Sequence, residues 1–111
     1  MKAPFEQLAT LDRLIHEPAR LSLLTALSAC DSADFLYLQS LTGLSKGNLS
    51  SHLSKLEEAG FISVEKQFKG KTPHTLLRIT GTGREAIEQH WEQLEKLRSR
   101  AKGWAPEEGS G

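Results

Sequence analysis

The sequence predicts a mainly α domain with one β-hairpin, an α+β arrangement. Three observations carry this. Five segments repeat apolar residues at helical spacing; one stretch, FISVEKQF, alternates instead and is followed by turn residues and a second extended run; and Pro18, Gly43, Ser45 and Gly60 stand where helices should begin or end. At 111 residues, 38% hydrophobic and 25% charged, the chain suits one domain with its own core.

The elements follow in order. Residues 5–15, FEQLATLDRLI, place Leu8, Leu11 and Ile15 on one helical face. His16-Glu17-Pro18 interrupts it, because the residue before a proline is pushed out of the α region while proline suits a first helical turn. A second helix is therefore expected from Pro18 through ARLSLLTALSA, with Leu21, Leu23, Leu24 and Leu27 apolar. CDSAD, residues 30–34, reads as a loop offering two N-caps, Ser32 and Asp34. A short helix over 35–42 should turn Phe35, Leu38 and Leu41 inward and end at Gly43, where a positive φ is wanted. Ser45 caps the next helix, 46–59, whose buried stripe is Leu49, Leu53 and Leu56 and whose end is Gly60. FISVEKQF, the turn KGKTPH and the returning strand TLLRIT form the hairpin, with a basic tip. Thr82 to Glu85 fits a capping box, opening a last helix over 83–102 with Ile87, Trp91, Leu94 and Ala101 along one side. Residues 1–103 are thus read as one domain, and 104–111, which ends APEEGSG, as a disordered tail.

Net charge is zero, but its distribution is uneven. Residues 45–84 hold seven Lys/Arg against three Glu, whereas the segments on either side each carry two more acids than bases. A basic middle is a local field of the kind that attracts phosphate. The helix 46–59 sharpens the point. With its leucines inward, an ideal helix puts Gly47, Asn48, Ser51, Ser54 and Lys55 outward and His52 on the flank, and no acid appears before Glu57. Small donors and acceptors with a cation suit a major groove, where base edges offer hydrogen bonds; Gly47 removes bulk from the first turn. Free backbone N–H groups at Ser45 and Lys46 suit a phosphate.

The order helix, helix, short turn, helix, basic hairpin, long helix is that of a winged helix-turn-helix. The run GLSKGNLSSHLSKLEEAGFI, residues 43–62, resembles the recognition-helix segment of bacterial winged-helix transcription regulators of the ArsR and MarR type, closest to a small single-domain group. HEPARLSLLTAL (16–27) resembles their first core helix, and EKQFKGKTPHTLLRITGTGREA (65–86) their wing and the start of their last helix. The likeness covers roughly residues 11–95. It implies a sequence-specific regulator of transcription that binds double-stranded DNA.

On this reading Asn48, Ser51, Ser54 and Lys55 recognise bases, and Ser45, Lys46, His52, Lys69 and Lys71 anchor on the backbone. Lys66 and Gly70 belong to the same wing, 66–76, on the backbone or in the minor groove, with Arg78 near its base; Arg20 is a further phosphate candidate, with a plain surface arginine as the preferred alternative. The wing lysines have a plainer alternative, protection of an exposed strand edge. Leu8, Leu11, Ile15, Ile87, Trp91, Leu94 and Ala101 are the candidate interface of a homodimer formed by the N- and C-terminal helices; the alternative is that the two stripes cover each other within one chain. One recognition helix gives a small footprint, and a two-fold pair reads a palindrome. A winged-helix protein-interaction module without DNA binding is the competing function, and an RNA-binding winged helix a third.

Other classes find no footing. One cysteine, Cys30, forms no internal disulfide or Cys-pair metal motif. His90 with Glu88 and Glu92 does not present one face, and His16, His52 and His74 lie in different elements, so no metal is expected. No cofactor is expected either: Gly81-Thr82-Gly83 lacks the spacing and lysine of a phosphate loop, and no catalytic constellation marks an enzyme. Apolar runs are too short for a membrane, and MKAPFEQLAT lacks a signal-peptide core, so a cytoplasmic chain is the economical reading. No separate ligand domain is expected, so any small-molecule effector has to bind in the dimer interface or not at all.

Overall fold

The computed structural model describes residues 12–103. Helix α1 (Pro18–Cys30) starts where the proline places it, with proline in its first turn and Glu17 as cap, whose carboxylate accepts from Arg20 N at 2.8 Å. The predicted helix over 5–15 lies mainly outside the described residues, and its described end, 12–15, is a turn. There Asp12 Oδ1 accepts from Leu14 N at 2.8 Å, a local side-chain bond that competes with helix.

The expected loop at 30–34 is instead a strand. Cys30 closes α1, Ser32–Asp34 form β1, and only Asp34 caps the next helix, its carboxylate accepting from Tyr37 N at 2.7 Å. Three residues are too few to show a period in sequence, and β1 exists because β3 supplies its partner. Helix α2 (Phe35–Thr42) ends on Gly43 at φ 70°, and α3 (Lys46–Glu58) begins on Ser45, whose Oγ accepts from Asn48 N at 3.2 Å.

Strands β2 (Ile62–Lys69) and β3 (Thr72–Ile79) form the hairpin, in unbroken antiparallel register from Ile62 opposite Ile79 to Lys69 opposite Thr72. The sheet therefore has three strands, in the order β1-β3-β2. Helix α4 (Gly81–Gly103) opens two residues before the predicted one. Its cap is Thr80, not Thr82: Thr80 Oγ1 accepts from Gly83 N at 2.9 Å and donates to Gly60 O at 2.7 Å. The capping box does not form, because Gly83 and not a glutamate stands three residues after the true cap.

Ile15, Leu23, Leu24, Leu27, Leu38, Leu49, Leu53, Leu56, Ile62, Leu77 and Ile87 make one core. Each such side chain contributes about 1.5–3 kcal/mol by leaving water. All three predicted leucines of α3 are in it, so the opposite face of that helix must look outward. Leu41 was expected inside and is half exposed, beside exposed Leu36 and Tyr37: of the two turns of α2, only Leu38 is fully buried, with Phe35 packed beside it. The root of α4 is close-fitted to the turn after α3, where a Cβ on Gly83 would lie 2.0 Å from Phe61 O.

Candidate nucleic-acid interface

The outer face of α3 is built by exclusion. With Leu49, Leu53 and Leu56 buried, Lys46, Gly47, Asn48, Ser51, Ser54 and Lys55 are all exposed, and Ser45 stands exposed at the cap. No acid occupies the first turn, so the positive end of the helix dipole and Lys46 act together there. Ser50, which the sequence reading passed over, is exposed on the same helix, on the flank that faces the hairpin. Its helical position between the leucine stripe and Ser54 is the signal that could have found it.

His52 is placed differently from the other candidates. It is half-buried against α1, where Arg20 Nη1 lies 3.0 Å from His52 Nδ1 and Glu17 Oε1 lies 3.9 Å from the same nitrogen. Arginine has no acceptor, so the bond from Arg20 needs the lone pair on Nδ1 and puts the ring proton on Nε2. Arg20 Nε also donates to Leu14 O at 2.5 Å. Arg20 and His52 thus join α3 to the start of α1, a link that nothing in the sequence spacing displays.

The hairpin supplies the second cationic element. Lys66, Lys69 and Lys71 are all exposed, and Gly70, at φ 64°, makes the turn. Arg78 stands at the base, 3.8 Å from Glu65 across the hairpin, an exposed pair worth little. Between α3 and the hairpin runs an open cleft of about 600 Å³, with Lys46 and Lys66 on opposite rims.

The predicted dimer residues separate into three groups. Ile15 and Ile87 are in the chain's own core, so they hold the monomer together and leave no surface for a partner. Trp91 is 46% exposed, with its indole N–H donating to Thr25 Oγ1 at 3.0 Å, and Leu94 and Ala101 are half-buried on the same helix. Leu8 and Leu11 lie outside the described residues, as does the predicted tail 104–111.

Among the described residues no cluster of three or more His, Cys, Asp or Glu is placed to hold a metal ion. Two histidines that are distant in sequence do meet. His16 Nδ1 lies 3.2 Å from His90 Nε2, and His90 is buried with its Nδ1 unpartnered among the described residues. Burial holds His90 below the ordinary 6.5; His16 pushes the same way and Asp12 opposes. The unfolded chain takes up this proton near its ordinary value and the folded chain resists it. Stability is therefore unaffected by His90 at higher pH and falls as pH drops below about 6.5. Thermal melts at about pH 7.5 and pH 5.5 should show a drop in Tm on acidification that is smaller in His90→Leu; an unchanged drop would remove His90 as the cause.

Four helices on a three-stranded sheet, one of them with an exposed polar face beside a lysine-tipped hairpin, define the winged helix-turn-helix class. Comparison with known proteins agrees. A model of the winged helix DNA-binding domain matches residues 19–98. An uncharacterized protein of Methanocaldococcus jannaschii is 33% identical over 86 residues, spanning 77% of this chain and 92% of that protein. The structure of a transcriptional regulator homologue from Pyrococcus horikoshii OT3 is similar with a TM-score of 0.76 at 25% identity, over 93% of this chain and 98% of that one. A MarR-family transcriptional regulator from Silicibacter pomeroyi shares the fold, with a TM-score of 0.60 at 21% identity over 87% of this chain and 65% of that one. The chain belongs to the winged helix DNA-binding domain family. The fold is one shared with transcriptional regulators, and among the described residues no helix is long and apolar enough to cross a membrane.

Proposed function

We propose that this protein is a cytoplasmic, homodimeric, sequence-specific regulator that reads a palindromic operator, with α3 in the major groove and the wing, 66–76, on the backbone or in the minor groove. One observation carries the reading: every exposed side chain of α3 up to Lys55 is small and polar or cationic, while its apolar residues are all buried. Asn48, Ser51, Ser54 and Lys55 read base edges, and Ser45, Lys46, Lys69 and Lys71 hold phosphates. His52 acts from its bond to Arg20, fixing the height of α3 over the groove. Trp91, Leu94 and Ala101 of α4 supply the apolar part of the dimer contact, which sets two recognition helices about 34–36 Å apart. Domain and dimer helices together are residues 1–103.

The competing reading, a protein-interaction module, calls for apolar groups on the outer face of α3, and that face has none. The exposed apolar residues of the helix-turn-helix, Leu36, Tyr37 and Leu41, sit on α2 instead. Selection from a random duplex pool, followed by titration of duplex DNA and RNA at two salt concentrations, tests the proposal. Enrichment of a palindrome with half-sites about one turn apart is expected; no enrichment, or equal binding to RNA, would sink it. Lys69→Ala should weaken all duplexes alike and lower the salt slope by about one. A changed sequence preference in that variant would show that Lys69 reads bases and not phosphate.

A further inference from the structure

The wing ends in an apolar pair that the phosphate-holding role leaves unused. The unbroken register of β2 and β3 makes side chains alternate strictly between faces. Ile62 and Val64, opposite Ile79 and Leu77, turn to the core; two residues further on the same face carries Lys66 opposite Thr75, and then Phe68 opposite Pro73. The core face of the sheet thus runs out past the body and finishes at the tip as Phe68 and Pro73, on the side where Lys66 and Pro73 line the cleft beside α3. Phe68 is 73% exposed, more than any other large apolar residue described. From residue 66 to residue 77 the hairpin holds three lysines and no acid.

An aromatic ring exposed among cations, on the hairpin face that borders the cleft beside α3, matches the chemistry of a duplex groove: an anionic rim around apolar sugar and base edges. Pro73 opposite stiffens the support, because its φ is fixed. Resting on the DNA reading above, we propose that Phe68, backed by Pro73, enters the minor groove beside each half-site and packs on sugars and base edges, while Lys69 and Lys71 hold the flanking phosphates. An apolar wedge of this kind is favoured by base steps that open or unstack easily, so the wing selects for deformable flanks and not for a particular hydrogen-bonding pattern.

The test uses the full chain and the duplex recovered by selection, with its flanks varied between pyrimidine–purine steps and a stiff A-tract. Phe68→Ala should bind the preferred duplex about tenfold more weakly, lose the preference between flanks, and keep the salt slope of the parent protein, since no phosphate contact is removed. Because Phe68 stands in solvent, the Tm of the variant should match the parent, which separates lost contact from lost fold. With 2-aminopurine at the flanking step, the parent should raise its fluorescence by unstacking and Phe68→Ala should not. Unchanged affinity and flank preference in Phe68→Ala, with the parent binding normally, would overturn the wedge alone; a parent that binds no duplex would overturn the DNA reading beneath it. Binding of the parent to phosphatidylserine vesicles that Phe68→Ala abolishes, with duplex binding intact, would assign the tip to a lipid surface and overturn the proposal as well.

Discussion

Lys55→Glu is expected to weaken operator binding by about 100-fold, since a charge-assisted contact of roughly 1.5–3 kcal/mol is lost and repulsion from phosphate is added. Lys55 lies on the exposed outer face of α3, and no described ion pair engages it. The change therefore falls on the interface and not on the fold, and the Tm should stay within about 2–4 °C of the parent, as surface substitutions usually do. Fluorescence anisotropy with a labelled operator, alongside a thermal melt, measures both. Binding within a few-fold of the parent would place Lys55 outside the groove and would count against the orientation of α3 proposed here.

The second large effect is on stability. Gly83→Ala sets a methyl group where Phe61 O already stands, 2.0 Å from the ideal Cβ, with Phe61 C and Cα at 2.8 and 2.9 Å. All three atoms are backbone, so no side chain can swing aside. Either α4 moves away from the turn after α3, breaking the bonds that Thr80 Oγ1 donates to Gly60 O and Thr80 N donates to Phe61 O, or that turn moves away from the core. A cost near the upper end of the overpacking range, about 3 kcal/mol, is expected, which lowers Tm by roughly 10–20 °C in a domain of this size. Gly81→Ala is the control, because its added Cβ meets nothing within 4 Å. Equal melting of the two variants would show that the root of α4 is looser than described.

The structure also shows which features a single sequence can display. The leucines of α3 were legible because thirteen residues give more than three turns, enough for a stripe to repeat. Both ends of that helix were legible too, since Ser45 and Gly60 have local reasons to stand there. What escaped depends on partners distant in the chain. Strand β1 is defined by β3, more than forty residues away in sequence. Thr80 outcompeted Thr82 as cap because its hydroxyl also reaches Gly60 O, a tertiary bond. The meetings of His90 with His16 and of His52 with Arg20 likewise join residues far apart in the chain. Ile15 and Ile87 lie on apolar stripes that spacing alone cannot assign to a partner or to the chain itself; the chain's own core takes both and leaves Trp91 half exposed. Phe68 was passed over because alternation in a strand marks the core near the body, and only the register shows that the same face continues beyond it.

The short strand β1 has a mechanical meaning. It pairs with β3 only from Leu76 to Arg78, so the middle strand β3 is held on both edges at the root of the hairpin and on one edge, by β2, along its outer span. Such a ribbon behaves as a cantilever: firm where it leaves the molecule, compliant at its free end. Amide exchange should be slow at Leu76 to Arg78 and quicken steadily toward Gly70. On the proposed DNA reading, a fixed base with a yielding end lets one tip accommodate grooves of different width without disturbing the helix beside it.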